Sequence, residues 1–220
     1  MSQEPRPLVL HGYWRSGAAY RTRIALNLKG LDYEQRTHDL RTGAQKEAAY
    51  TGLNPQGLVP ALETPEGLLF QSVAIMEALE EGWPEPPLLP RHGFERATVR
   101  AMVGLIACDI HPLNNLRVLK ALREDFGADQ AQVDAWAGRW ITAGFAALEQ
   151  LVERHCGCWS YGDAPGMVDC CLVPQIYSAR RFNVDVAPFP RLLAVDARAA
   201  EHPAFAAAHP DRQPDADALA

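Results

Sequence analysis

Ser16 lies in a short loop where its hydroxyl could stabilise an anion. It precedes residues 18–29, whose apolar side chains recur every four positions, as they do in an amphipathic helix. A hydroxyl just before a helix can donate a hydrogen bond to a thiolate, and the helix N-terminus adds partial positive charge at the same place. Serine is also a favoured N-cap residue, so a purely structural role is the alternative. The loop therefore predicts either an anion site or a plain helix cap.

The elements that must hold this loop are those of a βαβ unit. Residues 7–13 predict a short buried strand, residues 18–29 the helix, and residues 32–38 a second strand parallel to the first. A short helix, a two-stranded hairpin and an amphipathic helix follow at 45–51, 60–71 and 72–81. The first part of the chain therefore predicts a compact α/β domain.

The rest of the chain predicts a helical domain behind a linker. Residues 84–92 contain four prolines, which suit neither a helix nor a strand interior. Beyond them, residues 94–126 form a long helical pattern that Pro112 should kink, and residues 130–155 form a second one. The polar stretch 209–220 has two prolines and is expected to fray. The predicted organisation is an α/β domain, a linker and an all-helical domain at 1–83, 84–92 and 93–220.

Composition and charge narrow the function classes. A net charge of −6 and an isoelectric point near 5.6 disfavour nucleic acids and anionic membranes as partners, because both require a basic face. The polar start of the chain and the lack of an apolar run of ~18 residues predict a cytoplasmic protein without a membrane span. The five cysteines lack metal-ligand spacing, so we expect reduced thiols and no metal site.

This order of elements resembles that of the glutathione transferases over nearly the whole chain. Residues 13–26 resemble the zeta-class signature, in which Arg-Ser-Ser-Cys precedes a run of the form Arg-x-Arg-Ile-Ala-Leu. Here Gly17 and Ala18 replace the second serine and the cysteine. The resemblance implies a thioredoxin-like α/β N-terminal domain plus an all-α C-terminal domain, with glutathione as cofactor. It implies that Ser16 and Arg15 are catalytic and that the Ser16 hydroxyl lowers the pKa of the bound thiol.

Further segments of the α/β domain resemble glutathione-binding segments of the family. Residues 53–62 resemble the segment with a cis-proline, which implies a cis Val59–Pro60 bond and pairing of the Val59 backbone with glutathione. Gln71 and Ser72 resemble the site for the γ-glutamyl carboxylate at a helix N-terminus, although Ser72 could be a plain N-cap. Gln45 stands where zeta enzymes carry a glutathione-binding glutamine.

The helical domain carries a second signature at residues 110–119. It resembles the zeta stretch Gln-Pro-Leu-Gln-Asn-Leu-Ser-Val-Leu, with His111 in place of the first glutamine and Arg117 in place of the serine. His111 and Asn115 match family positions that reach glutathione across a subunit interface, so the resemblance implies a homodimer. A structural role is the alternative for His111.

Three arginines are candidates for binding substrate carboxylates, because a planar guanidinium grips a carboxylate with two hydrogen bonds. They are Arg15, Arg117 and Arg181. The last stands in residues 178–185, which resemble the zeta stretch with a substrate-binding arginine. Arg180 beside it is a further cation whose alternative role is placement at a helix C-terminus.

One more segment, 162–169, resembles the capping box of a helix in this superfold. Gly166 stands where serine or threonine is usual, and glycine provides no side-chain cap. We therefore expect Asp169 to carry the cap by reaching back to the helix start. Its predicted role is in folding, not in the active site.

The resemblance implies a glutathione-dependent cis–trans isomerase of a small dicarboxylate. His111 and Arg117 favour the conversion of maleylpyruvate to fumarylpyruvate in gentisate-type aromatic catabolism. Maleylacetoacetate, the substrate in tyrosine catabolism, is the alternative within the class. Two further alternatives are a general zeta-like transferase, with a more apolar second site and fewer arginines, and a non-enzymatic binding module. Such modules commonly lack the thiolate-activating hydroxyl, which Ser16 supplies here.

Overall fold

The computed structural model describes residues 7–217. Within this range the chain forms two compact units. The first contains the residues up to Pro87 together with those from His202 onward, and the second is Leu88–Glu201. The chain therefore runs from the first unit into the second and then back into the first.

A four-stranded mixed sheet forms the centre of the first unit. Its strands are β1 (Leu8–Gly12), β2 (Tyr33–Thr37), β3 (Ala61–Thr64) and β4 (Gly67–Phe70), in the spatial order β2-β1-β3-β4. β1 pairs with β2 in parallel and with β3 antiparallel, and β3 and β4 form the predicted hairpin. All five residues of the central strand β1 are buried, as its apolar run predicted.

Three helices of the first unit follow the predicted pattern. They are α1 (Gly17–Leu28), α2 (Ala48–Thr51) and α3 (Ser72–Gly82). α1 ends shortly before Gly30, whose φ of +65° is the left-handed conformation that glycine adopts without steric cost. At α3 the N-cap is Gln71 and not Ser72, which is already the first helical residue. The interpretation of Ser72 as a plain N-cap is therefore wrong.

The second unit is helical. Its helices are α4 (Gly93–Gly104), α5 (Leu116–Phe126), α6 (Gln130–His155), α7 (Met167–Arg181) and α8 (Pro190–Glu201). Between α4 and α5 lie a π-helical stretch, Leu105–Ile110, and a 3₁₀ turn, His111–Asn114. The regular helix thus ends before Pro112, because proline clashes with the carbonyl group four residues earlier and the preceding turns must widen. Gly144 of α6 allows close packing there, since a β-carbon would collide with the Ile110 side chain.

Asp169 caps α7 in the way the sequence predicts. One carboxylate oxygen accepts a hydrogen bond from the Gly166 N–H at 2.8 Å, and the other accepts from the Ser160 N–H at 3.0 Å. The side chain is buried, and burial raises the pKa of the carboxyl group while these hydrogen bonds oppose the shift. A buried carboxylate with two backbone donors fixes the turn that precedes α7.

Replacing Asp169 with alanine is expected to lower the free energy of unfolding by about 3 kcal/mol. The change leaves two buried N–H groups without acceptors, and each costs ~1 to 3 kcal/mol. Chemical denaturation of both proteins measures the difference. Asp163→Ala is the matched control, because Asp163 is exposed and accepts a single N–H bond from Cys158. Equal losses for the two variants would contradict the role of Asp169.

The segment after α8 belongs to the first unit, in contrast to its predicted place in the helical domain. It contains α9 (Pro203–Ala208) and a 3₁₀ turn, Pro210–Arg212. The expectation of fraying does not apply to residues 209–217, because the Gln213 amide donates to the carbonyl groups of Ala207 and His209. Polar side chains here bind specific backbone groups, which their composition alone does not reveal. The predicted fraying of residues 218–220 concerns positions outside the described residues.

Candidate active site

Ser16 is both a helix cap and a potential donor. Its Oγ accepts a hydrogen bond from the Ala19 N–H at 3.3 Å, and its own N–H donates to the Tyr13 carbonyl group at 3.0 Å. The side chain is half-exposed. A hydroxyl has two acceptor lone pairs and one O–H donor, so capping leaves its proton available to an anion at the start of α1. The two interpretations of Ser16 are therefore compatible.

Arg15 precedes this serine in what we call the Ser16 loop, residues 13–16. Its guanidinium lies 5.3 Å from the centre of the Trp14 ring, close enough for a cation–π contact. The Arg15 side chain is half-exposed. Hydrogen bonds from Arg41 hold the pKa of Asp39 below its usual value, and the charge of Arg15 adds a smaller lowering. The loop thus presents a hydroxyl and a cation side by side.

The Val59–Pro60 peptide bond is cis, as the family resemblance implied. The carbonyl group of Leu58, just before it, accepts hydrogen bonds from the Tyr50 hydroxyl at 2.7 Å and from the Asn54 amide at 2.8 Å. Pro60 is buried and Val59 half-buried. Two side chains therefore hold the backbone directly before the residue that is expected to pair with glutathione.

A histidine pair lies beside Tyr50. His11 Nδ1 and His38 Nε2 are 2.9 Å apart, and His11 Nε2 is 2.8 Å from the Glu63 carboxylate. The His38 ring lies against the Tyr50 ring, with centroids 4.2 Å apart. Burial lowers the pKa of His38, and neighbouring His11 lowers it further. A neutral His38 suits a hydrogen bond in which one proton lies between His11 Nδ1 and His38 Nε2.

Gln71 and Ser72 stand at the start of α3. Gln71 has a φ of +71°, an uncommon conformation for a residue other than glycine and one that concentrates at functional sites. Its side chain donates to the Gln56 side chain and makes no cap to α3, while the Ser72 Oγ lies 3.5 Å from Arg21 Nη1. The first turn of α3 therefore has N–H groups that the Gln71 side chain does not cap.

Gln45 lies close to Gly57, in the loop that precedes Val59. It is the middle residue of the 3₁₀ turn Ala44–Lys46, and its Oε1 is shielded from solvent without a hydrogen-bond partner in residues 7–217. Gly57 has a φ of +59°, and a β-carbon there would lie 3.1 Å from the Gln45 carbonyl oxygen. Because the Gln56 side chain accepts a hydrogen bond from Gln71, the loop before Val59 contacts both Gln45 and Gln71, two of the predicted glutathione residues.

The remaining predicted residues lie in the second unit. His111 begins the 3₁₀ turn before α5, and Asn115 caps α5 by accepting the Arg117 N–H at 3.1 Å. Arg117 is exposed in the first turn of α5, and Arg181 is exposed at the end of α7 with its guanidinium 5.8 Å from the Phe182 ring centre. Arg180 pairs with Asp196 of α8 at 2.6 Å, which supports its structural role.

Sequence reasoning missed two residues that contact the Ser16 loop. The buried Arg23 side chain donates to the Trp14 carbonyl group at 2.9 Å and to the Ala208 carbonyl group at 3.0 Å. The Trp14 N–H donates to Asp215 Oδ2 at 2.9 Å. The signal for Arg23 was a cation directly before the apolar run 24–26 of α1. Asp215 gave no signal, because it sits in a polar stretch.

The structure adds two observations on metals and membranes. All five cysteines are free thiols, and residues 7–217 contain no cluster of three histidine, cysteine or acidic side chains arranged to hold a metal ion. Among the described helices, none is long and apolar enough to cross a membrane.

Sequence comparison relates the chain to known proteins. The family model for the glutathione S-transferase N-terminal domain matches residues 15–81. A maleylpyruvate isomerase from Ralstonia sp is 51% identical over 208 residues, 94% of this chain and 98% of that protein. A maleylacetoacetate isomerase from Pseudomonas aeruginosa is 50% identical over 212 residues, 95% of this chain and 99% of that protein.

Solved structures give the same relationship. The holo structure of a maleylpyruvate isomerase, a bacterial glutathione S-transferase of the zeta class, matches with a TM-score of 0.93 and 50% identity over 94% of this chain and 99% of that one. Maleylacetoacetate isomerase from Anaeromyxobacter dehalogenans, with dicarboxyethyl glutathione and citrate in its active site, matches with a TM-score of 0.88 and 46% identity. That match covers 97% of this chain and 95% of the other.

Proposed function

Since the chain belongs to the zeta class of the glutathione S-transferase family, we propose that it is a glutathione-dependent cis–trans isomerase that converts maleylpyruvate to fumarylpyruvate. The observation that carries the proposal is Ser16, which caps α1 and keeps its hydroxyl proton available, in a chain about half identical to two isomerases. A binding module would not need this donor.

The residues of the first unit fit glutathione. The shielded Gln45 oxygen, the left-handed Gln71 and the N-terminus of α3 offer polar groups suited to a peptide with a free carboxylate. Gln71 and Ser72 would bind the γ-glutamyl carboxylate, and the Val59 backbone would pair with the cysteinyl residue as an added strand does. His111 and Asn115 would complete the glutathione site from the neighbouring subunit.

When bound, glutathione would supply a thiolate nucleophile whose reversible addition to the conjugated carbon of the substrate would let the former double bond rotate. The Ser16 hydroxyl would donate a hydrogen bond to the sulfur, and the N-terminus of α1 would add partial positive charge; both would favour the ionised thiol. Arg15, Arg117 and Arg181 bind the substrate carboxylates and orient the substrate during rotation. Glutathione is required but not consumed.

His111 and Arg117 favour maleylpyruvate over maleylacetoacetate. The two substrates differ by one methylene, which is worth only ~1 to 3 kcal/mol of discrimination, so activity on both is expected. A relative that binds dicarboxyethyl glutathione and citrate supports a dicarboxylate substrate for either choice. We place the reaction in gentisate-type aromatic catabolism, in the cytoplasm.

Assays of the purified protein on both substrates, with and without glutathione, test the proposal. We expect isomerisation that depends on glutathione and a higher kcat/KM for maleylpyruvate. Higher kcat/KM for maleylacetoacetate would assign that reaction instead. Conjugation of model electrophiles without isomerisation would indicate a general transferase, and retention on immobilised glutathione without either activity would indicate a binding module.

The protein is expected to be a homodimer in which both subunits contact each glutathione. The reason is the match of His111 and Asn115 to family positions that reach across the subunit interface. Light scattering measures the mass of the active protein. Assays over a dilution series then show whether activity falls as the dimer dissociates. A monomer with full activity would contradict this prediction.

A further inference from the structure

We propose that Asp215, in residues 202–217 (here called the C-terminal segment), and Arg23 of α1 are positioning residues for the Ser16 loop. They hold the loop from outside, and neither touches the reacting atoms. This inference rests on the proposed function, because it assigns a purpose to the loop geometry only if Ser16 acts on a bound thiol.

Arg23 holds one side of the Ser16 loop. Its guanidinium donates to two successive carbonyl groups of the loop, Trp14 at 2.9 Å and Tyr13 at 3.5 Å, and to the Ala208 carbonyl group at 3.0 Å. The side chain is only 1% exposed. A buried cation is costly unless acceptors surround it, so these carbonyl groups are held where the planar fork requires them.

Asp215 holds the backbone of the same loop from the other direction. Its Oδ2 accepts the Trp14 N–H at 2.9 Å, a bond to a charged acceptor and therefore stronger than a neutral one. Both polar backbone groups of Trp14 thus bind residues outside the loop. The conformation of the loop is set by α1 and the C-terminal segment, and not by the loop alone.

The C-terminal segment is itself well anchored on the first unit. The Asn27 side chain of α1 donates to the Ala204 carbonyl group at 2.9 Å, and the Gln35 side chain of β2 donates to Gln213 Oε1 at 3.0 Å. These contacts lie on both sides of Ala208. Asp215 therefore reaches Trp14 from a fixed position, which a loosely attached tail would not provide.

The position of this loop bears directly on catalysis. Ser16 follows Trp14 by two residues, and a hydrogen-bond donor displaced by about 1 Å at a reacting centre can cost ~100-fold in rate. Loss of the Asp215 contact should therefore reduce kcat and raise the pKa of the bound thiol. Glutathione affinity should change little, because Gln45, Val59, Gln71 and Ser72 do not depend on this contact.

Asp215→Ala in the whole chain tests the inference, since a change at buried Arg23 risks misfolding. The readouts are kcat and the pH dependence of thiolate absorbance in the complex with glutathione. Asp217→Ala is the matched control: it removes the same charge from the same segment, where Asp217 pairs with Arg41 and makes no bond to Trp14. Asp215→Asn keeps an acceptor oxygen and should restore most of the activity.

We expect Asp215→Ala to lower kcat ~10-fold to 100-fold and to raise the thiol pKa, while Asp217→Ala leaves both unchanged. A merely structural role would lower the melting temperature without moving the thiol pKa, and that result would overturn the inference. Equal effects of the two alanine variants would overturn it as well. If the wild-type complex shows no ionised thiol, the proposed function itself fails, and the inference with it.

Discussion

Replacing Ser16 with alanine is expected to lower kcat by about 10-fold to 1000-fold while glutathione still binds. The variant loses the donor that faces the sulfur, but the backbone N–H groups at the start of α1 remain as partial substitutes. Stopped-flow or steady-state assays measure kcat, and thiolate absorbance against pH measures the pKa of the bound thiol. We expect that pKa to rise in the variant.

Ser16 also caps α1, so the loss of the cap must be separated from the loss of the donor. The alanine change removes the bond from Ala19 and costs about 1 kcal/mol of stability. Ser16→Gly lacks the hydroxyl but retains most of the capping preference. We expect the glycine variant to be as slow as the alanine variant and closer to wild type in stability. An unchanged kcat in both would move thiol activation to another group, with Arg15 the first to examine.

Replacing Arg117 with serine is expected to raise the KM for maleylpyruvate by about 10-fold to 150-fold. A charge-assisted hydrogen bond to a carboxylate is worth ~1.5 to 3 kcal/mol, which corresponds to that range. Activity on the longer maleylacetoacetate should suffer less. Arg117 is exposed, and its guanidinium has no protein partner in residues 7–217, so the change should not reduce stability.

Two further variants make this test specific. Lys120→Ser removes a cation from the same helix, where Lys120 is 3.5 Å from Glu124, and should leave both KM values near wild type. Arg181→Ala should raise KM for both substrates, since zeta enzymes share that arginine. If Arg117→Ser impairs both substrates equally, Arg117 does not determine specificity, and only the general isomerase assignment remains.

Local patterns in the sequence predicted those parts of the fold whose causes are local. The helix predicted at 130–155 has those bounds in the structure, because its apolar residues recur at helical spacing and Asp129 and Gln132 form a capping box at its start. The Asp169 cap was predictable for the same reason, since donor and acceptor lie three residues apart. Contiguous motifs likewise placed Ser16 at the start of α1.

Features that depend on distant partners could not be predicted in this way. The polar stretch 209–217 reads as a frayed tail, yet it has partners in β2 and the Ser16 loop. Gln71 replaced Ser72 as N-cap because the backbone turns left-handed there, and glutamine carries no local signal for that conformation. The role of Tyr50 was hidden as well, because its ring packs on His38 and its hydroxyl binds Leu58.

The contacts of Arg23 and Asp215 also set an order of events during synthesis. Arg23 and Ala208 are 185 residues apart, and Trp14 and Asp215 are 201 apart. At ~5 to 20 residues per second, the ribosome makes the second partner roughly 10 to 40 s after the first. Once residue 70 has been made, the nascent chain contains every strand of the sheet but neither Ala208 nor Asp215. We therefore expect the sheet to form during translation and a competent Ser16 loop to form only after residue 215 has left the ribosome.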